Sequence, residues 1–72
     1  MGERPYMNLQ IEMLKKGVTQ EELAKLIKRT RLTISNKLQG ETSFLVEEAF
    51  LIQKTFFPDK ELNYLFRRTK KN

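Results

Sequence analysis

Residues 19–40 read TQEELAKLIKRTRLTISNKLQG, and the fold turns on how that segment divides. Thr19 followed three residues later by Glu22 has the form of a capping box. The hydroxyl takes a backbone N–H of the first turn and the carboxylate takes the N–H of the cap. Glu21 and Glu22 also stand at the positive end of the helix dipole. Leu23, Ala24 and Ile27 then repeat at helical spacing, with Leu26 at the edge, and Glu21 and Lys25 are four apart in the favourable order for an ion pair. Thr30 is a second N-cap, and a second helix of the segment runs from Arg31 to Leu38 and stops at Gly40. Only Lys28 and Arg29 separate the two helices, so they must cross steeply. Ile34 and Leu38 form the inward stripe of the second. Arg31, Leu32, Thr33, Ser35, Asn36 and Lys37 are left at or near its outer face, which carries hydrogen-bonding groups and positive charge but no acid.

On the N-terminal side, Leu9, Met13 and Leu14 repeat at helical spacing, with Ile11 beside them. They predict a first helix over 6–16, ended by Lys15, Lys16 and Gly17 as cations on the last turn and a residue free to adopt positive φ. On the C-terminal side, Val46, Ala49, Phe50, Leu51 and Ile52 predict a fourth helix to about Thr55, with Thr42 or Ser43 at its start. Pro58 breaks the chain. Asp59 then caps a short fifth helix with Leu62, Leu65 and Phe66 on one face. Residues 1–6 read as an N-terminal extension and residues 67–72 as a basic tail. The expectation is one all-α domain of five helices.

Composition narrows the chemistry. The 72 residues include neither cysteine nor histidine. The commonest general base, the thiol nucleophile and the usual transition-metal ligands are therefore missing. No enzyme activity, metal or cofactor is expected. The net charge is +5, which on so small a domain favours an anionic partner. Its distribution is more telling. Between Leu23 and Gly40 stand Lys25, Lys28, Arg29, Arg31 and Lys37 with no acid, and a second cluster (Arg67, Arg68, Lys70, Lys71) ends the chain. No apolar run is long enough to span a bilayer and no signal peptide is visible, so a cytoplasmic protein is expected.

The segment Thr19–Gly40 resembles the helix-turn-helix of the Cro/CI-type (lambda-repressor-like, Xre) DNA-binding family. Thr19-Gln20-Glu21-Glu22-Leu23-Ala24 opens the first helix of the motif, Thr30 caps the second, Ile34-Ser35 stands in its middle and Gly40 closes it. With the flanking helices the likeness covers roughly residues 7–66, and it is nearest to small phage-derived members from Gram-positive bacteria. The resemblance implies a five-helix lambda-repressor-like domain that binds double-stranded DNA, acting as a bacterial transcriptional regulator, a repressor by operator occupancy, with its third helix in the major groove. Arg31, Leu32, Thr33 and Asn36 are the expected base readers. Arg31 can take both guanine acceptors, Asn36 an adenine edge and Leu32 a thymine methyl. Gln20 matches the family position that holds a phosphate and braces the first recognition side chain, here Arg31. Arg29, Thr30, Ser35, Lys37, Thr42 and Ser43 are the expected backbone contacts.

The sequence departs from the family where Lys28 replaces the usual turn glycine, where Arg29 replaces an apolar residue, and at Leu38. Such regulators act as dimers on two half-sites, and Leu62, Leu65 and Phe66 are the expected dimer contact. No small-molecule effector is expected. One rival reading is a protein-interaction module, an antitoxin or antirepressor that keeps the fold and binds a protein. Another is a membrane-surface protein built on the basic amphipathic helices. The caps and glycine stops oppose the latter, because they describe a bundle of short helices.

Overall fold

In a computed structural model, residues 5–68 are described. Five α-helices follow one another, α1 Met7–Lys16, α2 Gln20–Ile27, α3 Arg31–Leu38, α4 Val46–Phe56 and α5 Leu62–Leu65, and no strand occurs among the described residues. The all-α expectation holds. α2 packs on α3 and α4, while α5 packs on α1 and α4. Leu9, Leu23, Ile34, Ile52, Phe57 and Leu65 are fully buried and supply one side chain or more from each helix or its end. Ala24 is also buried, and its small side chain leaves room for α3 to approach α2.

The helix ends explain the connections. The Thr19 hydroxyl accepts from Glu22 N–H at 3.2 Å and the Glu22 carboxylate accepts from Thr19 N–H at 2.9 Å, so the capping box forms in both directions. Thr30 caps α3 by accepting from Thr33 N–H at 3.1 Å. α1, α2 and α3 all stop in the same way, with a residue at positive φ and paired backbone bonds back into the last turn. That residue is Gly17 at φ 72°, Lys28 at φ 60° and Gly40 at φ 89°. The glycine missing between α2 and α3 is thus replaced by a lysine held in the same left-handed conformation. Gly40 is constrained twice, since a Cβ there would also lie 2.8 Å from Pro5 Cγ.

Several expectations are corrected. Pro5 and Tyr6 are not part of an extension. Both are buried, and Tyr6 meets Phe44 and Phe66 edge-to-face, with centroids 5.1 and 6.2 Å away. Leu14 is not core but 83% exposed, because α5 covers the other side of α1. α4 is capped at Leu45, not at Thr42 or Ser43; the Glu48 carboxylate accepts from Leu45 N–H at 3.0 Å. α5 is preceded by Glu61 rather than Asp59 and spans a single turn. Glu21 and Lys25 form no ion pair among those present in the described residues. Finally, Leu65 is fully buried and Phe66 belongs to the aromatic cluster, so the expected dimer face of α5 is mostly spent inside the domain. Lys70 and Lys71 of the basic tail lie outside the described residues.

Candidate nucleic-acid interface

α3 owes its orientation to two inward anchors, Ile34 and Leu38, both buried. Opposite them Arg31 and Leu32 are exposed, Leu32 at 70%. Thr33, Ser35 and Asn36 are half-buried along the margins. Arg31 makes no ion pair within the described residues. It lines a shallow cleft with Thr19, Gln20 and Glu21. The N-terminus of α2 and the first residue of α3 are thereby neighbours.

The hydroxyls of Thr30 and Thr33 lie 3.0 Å apart, and the Thr30 oxygen is already the acceptor of the cap. Ser35 Oγ accepts from Gln39 Nε2 at 3.3 Å. These hydroxyls retain hydrogen-bonding capacity toward a ligand, but their positions are fixed by the helix itself. Thr42 and Ser43 are exposed in the connection between α3 and α4.

Lys37 is the main correction. Expected on the outer face as a phosphate contact, it is 6% exposed. Its ammonium donates to Ser43 O at 2.9 Å and lies 3.0 Å from Glu48 Oε1. Arg29 stands half-exposed with its Nε 3.4 Å from the second oxygen of the same carboxylate. Glu48 reaches this position because it caps α4 from its first turn, beside the turn between α2 and α3. Burial alone would raise its pKa. The Leu45 N–H, the bond from Lys37 and the charges of Lys37 and Arg29 outweigh that effect and hold it below the ordinary carboxylate value. Of the five cations between Leu23 and Gly40, Glu48 therefore claims Arg29 and Lys37. Lys25, Lys28 and Arg31 remain exposed and unpaired among the described residues.

A replacement for the lost charge comes from the far end of the chain. Arg68 lies over the Tyr6 ring at 5.3 Å and donates toward Ser43 Oγ at 3.5 Å. It brings a cation to the loop after α3. The sequence marked Arg68 only as part of a basic tail; its placement depends on the docking of Tyr6 and Phe66, which spacing does not reveal.

Comparison with known protein families, with characterised proteins and with solved structures returned no match. The site offers an exposed short helix with one cation, one apolar tip and several hydrogen-bonding side chains. Beside it stand a helix N-terminus at Gln20 and a loop carrying hydroxyls and an arginine. No cluster able to hold a metal occurs among the described residues, and none of their helices is long and apolar enough to cross a membrane.

Proposed function

We propose that the protein is a sequence-specific regulator of transcription that binds double-stranded DNA, a repressor of phage type acting by operator occupancy. The observation that carries the reading is the outer face of α3, with Arg31 and Leu32 exposed, Arg31 in no ion pair among the described residues and Gln20 beside it. The major groove admits one α-helix, and the N-terminal part of such a helix does most of the base reading. Arg31, Leu32, Thr33 and Asn36 are the readers in this proposal. Gln20, with the free N–H groups at the start of α2, binds a phosphate, as do Thr42, Ser43 and Arg68 across the loop. Thr30 and Ser35 stay in supporting places, and Arg29 and Lys37 serve the fold.

Selection of bound duplexes from a random double-stranded DNA library at physiological salt tests this reading. An enriched motif is expected, and Arg31→Ala should cost about 1–3 kcal/mol on it while relaxing one base position. Equal loss on every sequence would remove Arg31 from the readers, and absence of binding would sink the proposal. One feature favours a second reading, a module that binds a protein partner. Met7, Ile11, Leu14 and Val18 line an apolar groove on α1 that reaches Gln20. In that case charge reversal at Arg31 would leave partner binding intact.

A further inference from the structure

The outer face of α4 is apolar where a helix on the surface of a lone domain is ordinarily polar. Val46 is 70% exposed, Phe50 52% and Leu51 39%, and Leu45 at the cap is 51% exposed. Two charges share this face, Glu47 in the first turn and Lys54 in the last. Both are exposed, and neither has an ion-pair partner among the described residues. At about 1.5 Å and about 100° per residue, Glu47 and Lys54 stand on one line along the helix, roughly 10 Å apart. Phe50 and Leu51 lie midway between them, one on each side of that line.

This pattern is self-complementary. If a second α4 is laid antiparallel across the first about a two-fold axis through the Phe50–Leu51 midpoint, Glu47 meets Lys54 of the partner subunit, and the reverse pair forms at the other end. Phe50 meets its own copy on one side of the axis and Leu51 meets its own copy on the other. Such a contact is isologous, with one patch used twice. Grooves flank the ridge on both sides. Leu26, Ile27 and Leu45 help to line one, whose rim carries Lys28 and Arg29, and Phe44, Leu62 and Phe66 the other, whose rim carries Arg67 and Arg68. They give the ridges of the partner apolar places to settle.

We infer that the protein forms a two-fold homodimer through α4, with Phe50 and Leu51 at the axis and Glu47–Lys54 pairs closing both ends. The charge arrangement selects this occupant, because a helix with its acid at one end and its base at the other is matched by its own antiparallel copy. The inference does not depend on DNA binding and replaces α5 as the dimer contact.

Sedimentation equilibrium of the full chain, without DNA, tests it from about 1 μM to about 1 mM, the range of weak to moderate association. The wild-type chain should pass from monomer to dimer. Glu47→Lys and Lys54→Glu, each placing like charges opposite one another twice, should each weaken association by at least about tenfold, with helical content and denaturation midpoint unchanged. An equimolar mixture of the two variants should regain wild-type association, because every reversed charge then meets its opposite. A wild-type chain monomeric at the highest concentration overturns the inference. So does a dimer indifferent to both reversals, or a mixture that fails to recover what the single variants lose.

Discussion

Glu48 decides how much of the positive charge is available for a ligand. Its side chain is buried and its carboxylate contacts the equally buried Lys37 ammonium, Arg29 and the Leu45 N–H. Removing the charge leaves a buried ammonium facing a neutral amide, so Glu48→Gln should destabilise the domain by about 3 kcal/mol. Chemical denaturation would measure it. The pH dependence has a definite sign. Because the folded carboxyl has a lowered pKa, its contribution is complete above the ordinary value of 4.5 and is lost as pH falls through the folded value. The gap between wild type and Glu48→Gln should therefore close on acidification below about pH 4.5. Lys37 was misplaced by spacing alone because its helical position lies close to the margin of the outer face. Only the location of α4 turns that margin inward, and nothing within α3 announces it.

At the scale of elements, starts and stops were legible and faces less so. Thr19, Thr30, Gly17 and Gly40 act within one turn of their own helix, so local chemistry is enough to read them. Leu14 failed because its burial depends on where a distant helix packs, and the Asp59 cap failed because residues 57–60 are taken up in a turn closed by Lys60 N–H on Phe57 O. Lys28 is the element-scale feature open to test. It sits at φ 60°, where a side chain costs energy that glycine does not. Lys28→Gly should stabilise the domain by about 0.5–1 kcal/mol after the greater entropy of the unfolded glycine chain is counted. A thermal or denaturant midpoint that falls instead would mean that the lysine side chain makes a compensating contact.

For the whole molecule, the charge that reaches solvent is smaller than the sequence total implies. With Arg31 reading bases and Arg29 and Lys37 held by Glu48, Lys25 and Lys28 are the cations of the α2–α3 segment left for phosphates, and their share of the salt slope is about −1.8 per protomer; adding Arg29 and Lys37 would give about −3.6. Arg29→Gln should leave the slope of log K against log salt unchanged, as measured by fluorescence anisotropy on a fixed duplex. A slope reduced by about one unit would return Arg29 to the phosphate contacts. The bundle was readable as a bundle because its apolar residues recur at helical spacing throughout. The candidate site was readable at Gln20, Arg31 and Leu32, whose positions follow from the two adjacent caps. Arg68 was not, because it arrives through contacts that link the two ends of the chain.

The meeting of Tyr6, Phe44 and Phe66 also bears on the order in which the domain is made. α2, α3 and the start of α4 are close in sequence and can associate early, whereas this cluster joins residues sixty positions apart. During synthesis Tyr6 and Phe44 must wait for Phe66, so the last closure comes when translation of the domain is nearly complete. Contacts of such long range form late in folding. Phe66→Leu removes the pairs with Tyr6 and Phe44 and should therefore speed unfolding by about fivefold, the equivalent of two pairs at about 0.5 kcal/mol each, while changing the folding rate less than about twofold. Stopped-flow mixing across a denaturant series would give both rates. A mutant that folds slowly and unfolds at the wild-type rate would instead put the cluster in the folding nucleus.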